Sequence, residues 1–293
     1  MSQPVLLVTG ASGHLGRRVT ELLLEKKAGT VIAGTRDPAK VADLVEKGAE
    51  ARVVDFDKPE TLAAAFKGVD RLLIVSTDAL AVRTGQQRRA VEAAAAAGVK
   101  HVVYTSSPAP KPWPENAVLN SHYWTEHALA ESGMGWTALR NNIYAEIILM
   151  ALGNALKSGQ LFTATGGAGR SYITREDCAQ AAAGALTDGF EGQRILEVSG
   201  PAPVTQDQIA AWASEIAGKT VTHVPVPPDA LRKGLTDAGL PPIYAEVLTG
   251  FDVDASEGMH ASVTSVVKDL SGREPTSVKD FLAANAEAIR AMA

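Results

Sequence analysis

Short apolar runs alternate with longer alanine-rich or amphipathic stretches through the first half of the chain, the form that repeated strand–helix units and a parallel sheet take in sequence. The runs at 5–8, 31–33, 51–54, 72–75, 101–104 and 136–139 predict buried or mostly buried strands. The stretches between them predict helices over 16–27, 39–47, 59–66, 84–97 and 121–131. Pro59 suits the first turn of one of these, where a missing N–H is harmless, and Gly98 and Gly133 stand where two of them should end.

Beyond about residue 145 the pattern loosens. A helix is expected over 145–156, then a glycine-rich turn at 166–169, then a helix over 175–186 that Thr174 caps, with Asp177 completing a box-like first turn. A last parallel strand at 194–198 should return to the sheet. Thr205 to Gln208 reads as a capping box opening another helix, followed by a strand-like run at 221–224 and the pair Pro241-Pro242. The expected fold is α/β, a Rossmann-type doubly wound parallel sheet over 1–150, completed by roughly 174–200. Residues 151–173 and 201–293, too irregular in pattern for a repeat array, are expected to form a smaller substrate-binding lobe over the carboxyl edge of the sheet, where open α/β folds bind ligands.

The first strand runs directly into Thr9-Gly10-Ala11-Ser12-Gly13-His14-Leu15-Gly16. Gly10, Gly13 and Gly16 form a GxxGxxG between a strand and a helix, where a tight turn must bring backbone N–H groups up to a pyrophosphate. Ser12, His14 and Leu15 complete the loop as cofactor-binding candidates. The second strand then ends in Gly34-Thr35-Arg36, where NAD-binding chains carry an acidic residue for the ribose 2′-hydroxyl. A guanidinium at this place offers paired donors to a 2′-phosphate, so the expected cofactor is NADPH. His14 and Lys40 are candidates for assisting at that phosphate. Asp55 and Phe56 after the third strand fit the adenine end, while Ser76, Thr77 and Thr105 fit the pyrophosphate and nicotinamide ribose.

Composition narrows the partners. With 28 Lys+Arg against 33 Asp+Glu among 293 residues, the net charge of −5 advertises neither nucleic acid nor an anionic membrane, and a small molecule becomes the expected substrate. The single cysteine, Cys178, fits a reducing compartment, and no run approaches the roughly 20 apolar residues of a membrane span. The apolar run at 5–8 is too short for a signal peptide, so the expected location is cytoplasmic. Monomer and homodimer both remain open.

The glycine loop, Arg36, Asp55, the run Ala97 to Ser106, Leu139 to Tyr144 and Ser171 to Asp177 together resemble the NmrA-like atypical short-chain dehydrogenases, in particular the group of quinone and triphenylmethane reductases. The resemblance covers nearly the whole chain. It implies hydride delivery from NADPH to a quinone or related conjugated molecule, with the proton coming from solvent or a nearby side chain, a reaction that depends more on position than on acid catalysis. It also puts a pocket tyrosine at Tyr144.

Short-chain dehydrogenases that reduce carbonyls use a Tyr-x-x-x-Lys pair, and here the equivalent helix reads Ser121-His122-Tyr123-Trp124-Thr125-Glu126-His127, without the lysine. Tyr123 and His127 share a helix face and could form a substitute acid pair; His122 and Glu126 share the neighbouring face. The catalytic candidates are therefore Tyr123, His122 and His127. Asn142 and Tyr144 follow the sixth strand as substrate candidates, and the proline-rich loop at 108–114 sits where a lid would lie, with Trp113 to stack on an aromatic substrate or to anchor the loop. Two other functions fit the same residues: a regulator that senses the NADP redox ratio without turnover, and a reductase of a simple carbonyl or imine with Tyr123 as acid.

Overall fold

The structure, a computed structural model, describes residues 3–293. Its nine strands are β1 (Val5–Val8), β2 (Thr30–Thr35), β3 (Glu50–Val53), β4 (Arg71–Ile74), β5 (His101–Ser106), β6 (Gly135–Asn141), β7 (Gln160–Thr163), β8 (Gln193–Val198) and β9 (Thr222–Pro225). Seven of them form one parallel sheet in the order β3-β2-β1-β4-β5-β6-β8. From β1 the chain builds outward through β2 and β3, then crosses back to β4 and builds the other way. The β1–β4 boundary is therefore the topological switch point, and the carboxyl ends of its strands are where the crevice of an open α/β sheet receives its ligand.

Alternation along β1 sets the two faces of this sheet. Leu6 and Val8 pack with Val19 and Leu23 of α1 (His14–Glu25), while Leu7 packs on the opposite side with Ile32, Phe66 and Leu72. Each fully buried Leu or Ile of this kind contributes about 1.5–3 kcal/mol through the water it sheds. The second face is covered by α3 (Pro59–Phe66), α4 (Arg83–Ala96) and α5 (Ala117–Glu131). The first is covered by α1 and the alanine-rich α7 (Arg175–Thr187), whose small side chains let it lie close against the sheet.

The strands and helices expected in the first half are present, and β8 returns to pair with β6 as expected. Thr174 and Thr205 cap α7 and α8 (Gln206–Ala217), the latter with the full capping box. Two expectations need correction. The helix predicted over 39–47 is a short 3-10 turn, Pro38–Val41, capped by Asp37, followed by α2 (Ala42–Glu46). Helix α5 starts four residues before the predicted 121, because the Asn116 side chain accepts from the N–H groups of Val118 and Leu119. The C-terminal third is largely helical.

Its helices α9 (Pro228–Asp237) and α10 (Pro242–Ser256) each open on the second residue of a proline pair, and α11 (Val266–Ser271), α12 (Val278–Ala284) and α13 (Ala286–Met292) close the chain. A two-stranded parallel sheet, β7 with β9, packs here against α6 (Glu146–Ser158) and α8 around Ile148, Leu152, Ile209, Leu282 and Ile289. Among the described residues no helix is long and apolar enough to cross a membrane.

Candidate active site

At the β1 end of the crevice the site is made of backbone. Gly10 has φ +63°, in the left-handed region, and its carbonyl accepts from the Gly13 N–H at 2.9 Å, which closes the turn. A Cβ on Gly16 would lie 2.4 Å from the Gly10 oxygen, so glycine there is what lets α1 approach the end of β1. Gly13 caps α1 in an extended conformation without a side-chain bond, and the first intrahelical bond inward runs from the Arg17 N–H to the Gly13 carbonyl. The N–H groups of His14, Leu15 and Gly16 thus lack helical partners and stand at the positive end of the helix dipole, the arrangement that receives a pyrophosphate. Leu15 is buried beneath the loop, His14 is exposed, and Ser12 accepts from the Thr35 hydroxyl at 3.2 Å, which ties the loop to β2.

Arg36 follows β2 directly; it and Lys40 are exposed and have no ion-pair partner among the described residues. The neighbouring cation Arg17 is occupied, bound to Asp43 at 2.7 Å and to the Lys40 carbonyl. Asp55 is fixed by its own loop, its N–H donating to Thr61 at 3.0 Å and its carboxylate accepting from the Asp57 N–H at 3.1 Å. The Phe56 ring is a core residue packed with Leu7, Ile32 and Leu62, so what that position can offer a cofactor is its backbone. At the end of β4, the Ser76 N–H donates to the Thr105 hydroxyl at 2.8 Å. The Thr77 N–H donates to Gln87 at 3.2 Å and its hydroxyl to Gln86 at 2.8 Å.

At the β4–β6 end the site is made of buried side chains. The Arg83 guanidinium, on the first turn of α4, lies 3.1 Å from His122 Nε2, and His122 Nδ1 lies 2.7 Å from the Tyr104 hydroxyl. Arginine only donates, so Nε2 must be the acceptor, which places the imidazole hydrogen on Nδ1, donating to Tyr104. Gln87 Nε2 donates to Tyr104 at 3.0 Å and to Thr125 at 2.8 Å, completing the network. Burial and the adjacent Arg83 charge hold His122 well below the usual histidine range, so it is neutral. Burial pushes the Tyr104 phenol up and pulls the Arg83 guanidinium down.

The expected acid pair is not part of this network. Tyr123 and His127 do share a face, with ring centroids 4.5 Å apart, but His127 is exposed and both lie outside the buried stripe of 119, 122, 125, 126 and 129. Neither hydrogen-bonds to the Arg83–His122–Tyr104 group, so the pairing across one helix turn faces away from it. His122 belongs to the buried network, where it is a neutral acceptor from Arg83 rather than an acid. Glu126 is not its partner: the carboxylate accepts from Arg140 at 2.7 Å and from Ser106 at 2.6 Å, and Arg140 reaches on to Glu197 at 3.2 Å.

Asn142 was expected to meet substrate, yet its amide is committed at both ends, donating to the His260 carbonyl at 3.0 Å and accepting from the Ile143 N–H at 2.8 Å. It is a tie between two chain segments. Trp113 lies against α10 near Gly250 and under the Lys111 ammonium at 4.8 Å, which is the anchoring role rather than an open stacking face. Tyr144 is held from three sides: its hydroxyl accepts from Asn141 at 3.3 Å, Arg175 sits 5.4 Å over its ring, and its ring packs on the Val75 and Leu196 side of the sheet. Burial pushes its phenol up. Cys178 is fully buried, and burial raises its thiol well above the usual range, so it packs rather than reacts.

Arg83, Gln86, Gln87 and Tyr104 were not anticipated. One signal was available: Arg83 and Gln87 precede Ala90, Val91 and Ala94 on a single buried stripe of α4, and polar residues on such a stripe require partners. Elsewhere, a cavity of about 130 Å³ lies beside the small sheet, lined by Ile147, Leu152, Phe162, Leu231 and Phe251, with the Arg170–Asp252 ion pair in its wall. A shallower depression at the amino end of the large sheet is at the opposite end of the strands from the glycine loop.

Comparison with known proteins agrees with this geometry. The family described as NAD(P)H-binding matches residues 10–189. Quinone oxidoreductase 2 of Escherichia coli is 32% identical over 277 residues, covering 94% of this chain and 96% of its own. The NAD(P)H azoreductase of Xenophilus azovorans is 29% identical, covering 98% of this chain and all of its own length. Among solved structures, the NADPH complex of the E. coli NADPH-dependent quinone oxidoreductase superimposes with a TM-score of 0.88 at 32% identity, covering 96% and 99% of the two chains. The NADP(H) complex of the Citrobacter triphenylmethane reductase gives 0.86 at 31%, with the same coverage.

Proposed function

This chain belongs to the NAD(P)H-binding family, and from that premise we propose that it is an NADPH-dependent oxidoreductase that reduces quinones or related conjugated small molecules. The observation that carries the reading is the cofactor end of the crevice. Gly16 admits no Cβ, the first-turn N–H groups of α1 lack helical partners, and Arg36, just past the end of β2, has no ion-pair partner among the described residues. Those donors suit a pyrophosphate and a 2′-phosphate respectively, so the residues fit NADPH. In this reading Gly10, Ser12, Gly13, His14, Leu15 and Gly16 hold the pyrophosphate loop and Arg36 selects the 2′-phosphate. The backbone of Asp55 and Phe56 borders the adenine, and Ser76, Thr77 and Thr105 border the ribose and nicotinamide.

When bound, NADPH supplies a hydride. The chain's own contribution is to position and to exclude water: Thr105 and Gln87 fix the backbone of Ser76 and Thr77, and Tyr144 is locked by Asn141 and Arg175. Burial and the Arg83 charge keep His122 neutral and burial pushes the Tyr104 phenol up, so neither offers a ready proton, which suits acceptors that need no enzymatic proton at the moment of reduction. The Rossmann part comprises 1–150 completed by about 174–200, and 151–173 with 201–293 form the part that closes over the acceptor.

Steady-state assays of the purified protein with NADPH against a panel of quinones, azo dyes, triphenylmethane dyes, ketones and imines test this. Turnover confined to the conjugated acceptors is expected. Tight NADPH binding with no turnover of any acceptor would replace the reading with that of a redox-sensing regulator.

A further inference from the structure

Among the described residues, the chain beyond three adjacent strands holds buried polar atoms without a hydrogen-bond partner: Arg83 Nε at the start of α4, which follows β4, Ser107 Oγ just after β5 and Asn141 Oδ1 at the end of β6. Arg83 is the most costly of them. The residue is 5% exposed, it forms no ion pair among the described residues, and its guanidinium meets only neutral groups, His122 at 3.1 Å and the Tyr104 hydroxyl. Asp78, exposed on the preceding loop, is close enough to be felt but does not bind it. A guanidinium on the first turn of a helix also opposes the helix dipole. A buried, unpaired cation in an unfavourable dipole field is retained against a large desolvation cost. Within the network it has spare donors and no anion to give them to.

We propose that Arg83 binds the oxygen of the acceptor on which negative charge collects during reduction, with His122 as the residue that positions it. The proposal rests on the acceptor reading above. Hydride adds to one end of the conjugated acceptor, and the electron pair displaced from the C=O π-bond comes to rest on oxygen. That oxygen then takes a proton from water, so the acceptor gains two electrons and two hydrogens. Charge is absent from the ground-state quinone and present once hydride has arrived, so a fixed guanidinium stabilises the later state more than the earlier one. Tyr104 and Gln87 hold His122 in its Nδ1–H form, and that form leaves Nε2 free to fix the guanidinium. Ser107, just after β5, and Asn141, at the end of β6, are further buried polar groups with an atom left unpartnered.

The test uses binding as well as turnover. Protein saturated with NADP⁺ is titrated with 2-hydroxy-1,4-naphthoquinone, ionised at neutral pH, and with its 2-methoxy ether, which carries no charge. Wild type is expected to prefer the anion by about tenfold or more, the worth of a charge-assisted hydrogen bond. Arg83→Met should lose that preference and Arg83→Lys should keep part of it, with NADP⁺ affinity unchanged in both. With 1,4-naphthoquinone as substrate, Arg83→Met should lower kcat by about 100-fold while the KM for NADPH stays put. Equal binding of anion and ether by wild type, with quinone turnover intact, overturns the Arg83 assignment alone. Failure of wild type to bind or reduce any quinone overturns the acceptor reading and this assignment with it. If Arg83→Met does not fold, wild-type anion preference and the kcat of Arg83→Lys decide the matter.

Discussion

At the β1–β2 end of the crevice recognition is done by backbone N–H groups that a run of glycines exposes, with a single side chain, Arg36, added for selection. At the β4–β6 end, by contrast, Arg83, Gln87, Tyr104, His122 and Thr125 meet from two helices and a strand, and their bonds join residues 17 to 39 positions apart. The first construction depends on what is absent, a Cβ, and tolerates no addition. The second depends on mutual satisfaction, so removing one member leaves others buried without partners. The two ends should therefore fail differently: one by losing the cofactor, the other by losing rate.

The sharpest way to break the backbone end is Gly16→Val. Side-chain atoms would be forced onto the Gly10 carbonyl, and cofactor affinity measured by fluorescence titration should fall by about 100-fold or more, with overpacking costing about 1–3 kcal/mol of stability. Unchanged NADPH binding would mean the loop is not the pyrophosphate site. Arg36→Ala should leave NADH nearly unaffected and weaken NADPH by about 10- to 100-fold, the loss of charge-assisted bonds worth about 1.5–3 kcal/mol. Equal losses for both cofactors would remove Arg36 from the 2′-phosphate.

Glu126→Ala probes the side-chain end through stability. It leaves Arg140 with Glu197 alone, and because that second pair is partly exposed, chemical denaturation should show a loss of about 1–3 kcal/mol, below the full cost of breaking a buried pair. Acid should act on the buried histidines. Burial, then the charge of Arg71, lowers His101 to about 4, and burial with Arg170 and Lys111 lowers His260 to about 3. Between roughly pH 6.5 and 4 the unfolded chain binds protons on these groups and the folded one does not, so stability is full above about 6.5 and falls as pH drops through that window. Each contributes a slope of up to about 1.4 kcal/mol per pH unit. His260→Leu, which removes two buried ring nitrogens without partners, should flatten the decline seen in melting temperature. An unaltered decline would exclude His260 as a source. The smallest effect belongs to Tyr123→Phe: lying outside the buried network, it should change kcat by less than about twofold at any pH, and abolished activity would reinstate it as the proton donor.

What sequence disclosed follows the same division. Gly10, Gly13, Gly16 and Arg36 are contiguous features whose spacing carries their meaning, and the strand periods around them placed six of the seven sheet strands and the return of β8. Tyr123 and His127 were also read from local spacing, and they do stack, yet helix periodicity alone does not say which face of α5 meets the crevice. Arg83 was missed because its partners, His122 and Tyr104, come from other elements, and nothing local marks such a meeting beyond polar residues on a stripe that should be apolar. Helices α9 to α13 were not placed individually for a related reason. The proline pairs at 227–228 and 241–242 look like breaks, and in the structure they are starts.

The most direct measurement is a single-turnover reaction of the protein loaded with NADPH and mixed with 1,4-naphthoquinone, run once with ordinary cofactor and once with deuterium at both hydrogen positions of the nicotinamide C4. Oxidation that is complete within one turnover and clearly slower with deuterium is the predicted result. A protein that binds NADPH but leaves it unoxidised, or oxidises both forms at the same rate, would contradict hydride transfer to the quinone as its chemistry.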